Sequence, residues 1–355
     1  MRAHPINNTQ RQVGFTIIEL MVGMAIGLLL VLVITQVMGA FEARNRATMG
    51  NADAQTNGGI ALYSISRDLQ MAGYSLIPDE SSPLECATLT SGVAGITTIA
   101  PITLVNGTAT STIPDSDSIT IRYGNSIKGG ALSPITANPV GNNLTVSNNF
   151  GCKVNDIALI VSGNTCFLTT VTGPADIATP PVASSPPNTT MITVQNPAGA
   201  APNSNIACLG TWNQITYAVS NGNLTRNGVP LLAGIVNLQA QYGISATANS
   251  NQVNQWVDAT NTWATPSLAD RNRIKALRVA VIARNDKMDT TTVTSACSSI
   301  DTASPTGLCA WAGNGTSPAP TVNLSPGDAN WNRYRYRVFE TIAPLRNIVW
   351  SKDTL

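Results

Sequence analysis

Residues 14–41 read GFTIIELMVGMAIGLLLVLVITQVMGAF, an apolar run broken by one carboxylate, Glu19, and a few small polar side chains. A helix needs about 20 apolar residues to cross a bilayer, and the stretch from Phe15 to Phe41 is long enough to do so. Ahead of it, residues 1–13 hold Arg2 and Arg11 and no acidic residue. Basic residues preceding a span keep that end in the cytoplasm, so the expected orientation places the N-terminus inside and the rest of the chain outside.

Glu19 is the residue that asks for an explanation. A carboxylate near the centre of a spanning helix costs about 2.5 to 3.5 kcal/mol on insertion scales, which implies a partner. If the chain were cut between Gly14 and Phe15, the new α-amino group would supply one, because Glu19 lies four residues, about 6 Å, further along the same helix. Gly23 and Gly27 form a GxxxG pair within the run, placing two glycines on one face where another helix backbone can approach. No proline stands between Pro5 and Pro78, so no proline kink is expected in the helix.

Beyond the apolar run, Leu62, Ile65, Leu69 and Ala72 recur at helical spacing, which extends the helix to about Gly73 as an amphipathic stem. Gly50, Gly58 and Gly59 each cost roughly 1 kcal/mol relative to alanine, so an interruption of the stem is expected there. From about residue 80 the chain reads as strands between polar, glycine- and proline-rich stretches. The expected strands are Ser118–Tyr123, Asp156–Val161, Cys166–Val171, Met191–Val194, Ile215–Val219, Ile235–Tyr242, Ile274–Ala283 and Arg333–Phe339, with Asn221-Gly222-Asn223 turning the chain into Leu224. Residues 173–190 and 289–328 read as surface loops. The expected fold is α+β, a long transmembrane and stem helix followed by a mostly antiparallel β-sheet head. Its divisions are 1–14, 15–41, 42–75 and 76–355.

Charged residues make up 11% of the chain, well below the roughly 25% of ordinary soluble domains. The polar surface must come from Ser, Thr, Asn and Gln, as suits an exported protein. With 20 basic and 19 acidic residues there is no overall field to draw nucleic acid. Arg333, Arg335 and Arg337 would stand on one face of a strand, but read best as a solvated outer face. The six cysteines, Cys86, Cys152, Cys166, Cys208, Cys297 and Cys309, include no CxxC pair and have no histidine nearby. Metal binding is not expected, and an even count in an oxidising compartment favours disulfides. The short-loop pairs Cys297 with Cys309 and Cys152 with Cys166 are the first to test. The only histidine, His4, precedes Gly14, and no HExxH, GxSxG or Walker A motif is present, so neither an enzyme nor a cofactor is expected. Asp115 and Asp117 stand before a strand and read as turn residues rather than calcium ligands.

The Gly14-Phe15-Thr16-Ile17-Ile18-Glu19 motif stands before the apolar core, whereas a secretory signal is cut after it. In this the chain resembles the type IV prepilins and pseudopilins. That resemblance implies cleavage by a prepilin peptidase after Gly14, methylation of Phe15 as the new N-terminus, and an assembly role for Glu19 toward a neighbouring subunit's amine. Within that class Arg67-Asp-Leu-Gln-Met-Ala-Gly-Tyr74, Asp117–Tyr123, Pro230–Gly243, Ile274–Val281 and Tyr336–Asn347 resemble the PilW-like minor pilins, with Ala233 standing where an acidic residue is expected. The implied role is a minor pilin of a priming or tip complex. Its implied partners are other minor pilins, the major pilin, the prepilin peptidase and the inner-membrane assembly platform. The alternatives are a pseudopilin of type II secretion and a pilus-tip adhesin whose long loops meet a ligand.

Overall fold

The computed structural model of the protein describes residues 14–76, 86–110, 115–173 and 190–349. Its first element, helix α1, runs from Ile17 to Met71 without a break. The chain divides into two units, one ending at Gly50 and the other beginning at Asn51. In the first, the segment Ile17–Gly39 is long and apolar enough to cross a membrane, and none of it is buried.

In the second unit, the helix buries Ala54, Ala61, Ile65, Leu69 and Ala72. These are steps of three, four and seven residues, so they form one stripe. The expected interruption does not occur. Tertiary burial of this stripe outweighs the helix cost of Gly58 and Gly59. Gly58 also has a packing reason: a Cβ there would fall 2.1 Å from a ring carbon of Phe339. The helix ends where Gly73 takes φ +78 and donates its N–H to the Arg122 carbonyl at 2.9 Å. A glycine in the left-handed region is the usual residue just past a helix C-terminus.

Sixteen strands follow among the described residues. They are β1 (Thr88–Ser91), β2 (Ile102–Val105), β3 (Ser118–Tyr123), β4 (Leu132–Pro134), β5 (Asn143–Thr145), β6 (Ile157–Ser162), β7 (Thr165–Gly173) and β8 (Met191–Val194). The remainder are β9 (Asn205–Gly210), β10 (Asn213–Ser220), β11 (Asn223–Arg226), β12 (Val229–Ala233), β13 (Ile235–Ile244), β14 (Gln255–Val257), β15 (Ile274–Arg284) and β16 (Tyr336–Pro344). They form three sheets, ordered β4-β9-β6-β7-β8-β5, β12-β11-β10-β3-β2 and β14-β13-β15-β16. All pairings are antiparallel except that of β1, which runs parallel to β7. The α+β class expected from the sequence is the one observed.

The main core joins the helix stripe to β2, β3 and β10 through Ile102, Ile119, Ile121 and Tyr217, and to β13 and β15 through Leu238, Tyr242, Val279 and Val281. Two smaller cores occupy opposite faces of the sheet around β6, β7 and β9. Leu159, Val161, Cys166 and Leu168 belong to one; Ala158, Ile160, Cys152, Ile206 and Cys208 belong to the other.

That alternation corrects the expected cysteine pairing. Side chains switch faces at every residue of a strand, and Cys166 and Cys152 end up on opposite faces of the sheet. The bridges are Cys86–Cys166, Cys152–Cys208 and Cys297–Cys309. Of the two short-loop pairs expected, only Cys297–Cys309 forms.

The 289–328 segment needs a second correction. It contains no strand or helix, yet Leu308, Ala310, Trp311, Ala319 and Leu324 are buried. They pack on Ala280 and Ile282, which face away from the main core on β15. A strand apolar on both faces needs cover on both, and here an irregular chain supplies it. The arginine stripe is the third correction. The last strand starts at Tyr336, three residues later than expected, and Arg333 closes a 3₁₀ turn at Trp331–Arg333. Arg333 donates to the carbonyls of Asp289 and Thr290, and Arg335 pairs with the Asp289 carboxylate at 2.9 Å. Only Arg337 lies on the strand. The other expected loop falls almost entirely outside the described residues.

Candidate functional site

The start of α1 is a closed hydrogen-bond pair. The Glu19 carboxylate accepts from the Thr16 backbone N–H at 3.0 Å and from the Thr16 hydroxyl at 3.1 Å. The Glu19 N–H donates in return to the Thr16 hydroxyl oxygen at 3.4 Å. Thr16 immediately precedes the first helical residue and Glu19 is the third in the helix, which makes this a capping box. Two of the four backbone N–H groups that every helix start leaves unpaired are satisfied in this way. The negative charge also sits at the positive end of the helix dipole.

The T-x-x-E spacing before an apolar run carries this information in the sequence, beside the cost that gives Glu19 an amine as its expected partner. From Phe15 to Phe41 the large apolar side chains of this helix are exposed, with Phe15 at 89% and Ile17 at 80%. Gly23 and Gly27 add a smooth strip to that surface, since a Cβ built on either meets nothing within 4 Å.

In the second unit the helix is fastened by Asp68. Its Oδ2 accepts from the Tyr217 hydroxyl at 2.7 Å and from Arg226 Nε and Nη2 at 3.2 and 3.1 Å. Burial, and next the hydrogen bond to Asp68, push the Tyr217 pKa well above its usual value. Asp68 lies within the quoted RDLQMAGY stretch, but nothing in the one-dimensional pattern pairs it with β10 and β11.

Asp115 and Asp117 also fasten segments together. Asp117 is buried and accepts from Gly107 N–H at 2.9 Å and Ala240 N–H at 2.7 Å. Burial pushes its carboxyl up to about 7, with the neighbouring charges of Asp258 and Asp115 adding to the effect. Asp115 accepts from Asn323 N–H at 3.0 Å, holding the irregular segment to the residues that lead into β3. Among the described residues no group of three or more His, Cys, Asp and Glu side chains could hold a metal ion.

Residues 10–35 match the prokaryotic N-terminal methylation motif. Together with the exposed apolar helix that the motif introduces, this fits a membrane-anchored pilin. Residues 207–347 match the family described as Type IV Pilus-assembly protein W, and the two matches together support a minor pilin of the type IV pilus. The matched region runs from within β9 into the helical turn Arg346–Val349, so it takes in the sheet of β13, β15 and β16. No curated protein and no solved structure matches the chain. The pilin-family matches point to a structural protein rather than an enzyme, and they fit membrane anchoring through the N-terminal helix.

Proposed function

We propose that this minor pilin is cut by a prepilin peptidase between Gly14 and Phe15 and N-methylated on Phe15. It then enters a priming or tip complex from which the major pilin is polymerised. The observation that carries the reading is the Glu19 carboxylate, set in the first turn of an exposed apolar helix within a matched N-terminal methylation motif. A carboxylate in such a helix is costly unless it meets a positive charge. The methylated amine of a neighbouring subunit provides that charge, so that insertion of the helix favours docking.

Residues 1–14 are then the leader, 15–41 the inner-membrane span, 42–75 the stem and 76–355 the head. The N-terminus stands in the cytoplasm and the head in the periplasm before incorporation into the pilus. Gly23 and Gly27 provide a close-packing face toward other pilin helices. Other minor pilins, the major pilin and the inner-membrane assembly platform are the partners; no cofactor and no nucleic acid is involved.

The test is intact-mass and N-terminal peptide analysis of the protein from membranes with and without an active prepilin peptidase. A mature chain beginning at methylated Phe15 is expected. A leader that stays attached beside an active peptidase, or a cut beyond residue 40, would overturn the reading.

A further inference from the structure

A cleft of about 480 Å³ opens between the β10–β11 turn and the segment that leads into β16. Its volume lies in the range of small-molecule sites. One wall is the turn itself, with Ser220 and Asn221 exposed at the rim. The other carries Asp328, Trp331 and Tyr336, and Arg284 at the end of β15 lines the cleft between them.

The two walls are built independently of any ligand. Asn221 and Gly222 take φ +51 and +70, the two-residue turn that matches strand twist in a hairpin. On the far side, the Tyr336 hydroxyl donates to the Trp331 carbonyl at 2.8 Å and the Trp331 N–H donates to the Asp328 carbonyl at 3.0 Å. Arg284 Nη1 donates to Asp328 Oδ2 at 3.2 Å, and its guanidinium lies 4.5 Å from the Tyr334 ring centre. Arg284 Nε is buried and has no hydrogen-bond partner.

These features select a ligand chemistry. Among the described residues one cation and one anion line the cleft and neutralise each other, so the cleft favours neither an anionic nor a cationic ligand. Trp331 and Tyr336 offer flat apolar surface with polar edges, and Val219, Val236 and Leu324 extend it. Beside that surface stand a paired guanidinium and carboxylate, an amide and a hydroxyl, all able to meet vicinal hydroxyl groups in pairs. A neutral ligand with an apolar C–H face and a ring of hydroxyls answers both. We propose that this cleft binds a neutral saccharide of one or two rings, stacked on Trp331 and hydrogen-bonded to Asp328, Arg284 and Asn221. The inference goes beyond pilus assembly and is independent of the processing proposed above.

The test is saturation-transfer difference NMR on the detergent-solubilised full chain with cellobiose, maltose, lactose and chitobiose at millimolar concentration. At least one disaccharide is expected to bind saturably, and Trp331→Ala to weaken it tenfold or more. Trp331 contributes to a buried cluster, so two rim variants accompany it. Asn221→Gly keeps the left-handed turn and removes only the amide, and is expected to weaken binding severalfold. Ser220→Trp fills the cleft from its exposed edge and is expected to abolish binding with the thermal unfolding midpoint unchanged. Absence of binding by all four sugars, or binding unchanged in Ser220→Trp, would overturn the proposal.

Discussion

Replacing Asp68 by alanine tests how the stem is held to the head. Three donors converge on one carboxylate oxygen: a tyrosine hydroxyl and two guanidinium nitrogens. They are not equivalent. Tyr217 is only 1% exposed, so without Asp68 its hydroxyl is left without its charged acceptor in the main core. A hydrogen bond to a charged group contributes about 1.5 to 3 kcal/mol. The Arg226 side chain is 42% exposed, and water replaces much of what it loses, so the ion pair adds about 1 kcal/mol at most. Asp68→Ala is therefore expected to destabilise the protein by about 2 to 4 kcal/mol. Asp68→Asn keeps an acceptor for Tyr217 and should cost about 1 kcal/mol. The assay is urea unfolding of the detergent-solubilised chain by tryptophan fluorescence, extended to Tyr217→Phe and the double variant. A coupling energy of about 1 to 2 kcal/mol between the two positions is expected from that cycle. If Asp68→Ala lies within about 0.5 kcal/mol of the parent, or the coupling is nil, the carboxylate does not fasten the stem.

Four further outcomes are expected. Burial holds the Asp117 carboxyl at about 7 in the folded state, above its ordinary value of about 3.9, so the folded chain binds a proton that the unfolded chain has lost between these values. Its contribution to stability is present at low pH and declines as pH rises from about 4 to 7, a dependence that Asp117→Asn should flatten in thermal melts taken across that window. Removing Cys86–Cys166 or Cys152–Cys208 as alanine pairs, with sequence separations of 80 and 56, should cost about 4 to 4.5 kcal/mol each on loop entropy; removing Cys297–Cys309, with a separation of 12, should cost about 3, and an inverted order in urea titrations would contradict this. Gly58→Ala should destabilise by about 1 to 2 kcal/mol because Phe339 occupies the space, yet stabilise by up to about 1 kcal/mol in a Phe339→Ala background; stabilisation in both would show that the ring yields freely. Deleting residues 289–328 should unfold the sheet around β15 rather than remove only a ligand-binding loop, as measured by circular dichroism, because Ala280 and Ile282 lose their cover.

The periodic parts of the chain were legible before the structure. Ile65, Leu69 and Ala72 are core residues of the helix stripe, and Ser118–Tyr123 and Met191–Val194 are strands with the expected ends. Short edge strands such as β1, β4 and β5 were not seen, because three or four residues carry too little alternation to stand out from their polar surroundings. The irregular cover over β15 escaped for a related reason. Leu308 and Trp311 lie in one short apolar run between Gly307 and Gly313, Leu324 stands next to Asn323 and Ser325, and only the two-sided burial of a distant strand explains their presence. The cysteine pairing required knowing which face of the sheet each sulfur occupies, and loop length was a poor substitute. At the N-terminus, the cost of a carboxylate in an apolar run marks Glu19, and the four-residue T-x-x-E spacing carries its bond to Thr16.

The contact between Asp68 and Arg226 joins residues 158 apart in sequence. Ribosomes add about 5 to 20 residues per second, so the stem waits roughly 8 to 30 s for its partners to be made. For much of that interval Ile65 and Leu69 have at most β2 and β3 to cover them, since Tyr217, Leu238 and Val279 of the same core come later. Early in its life the protein is thus an unpaired amphipathic helix, and whatever shields that stripe during synthesis governs how much of the chain reaches the folded state.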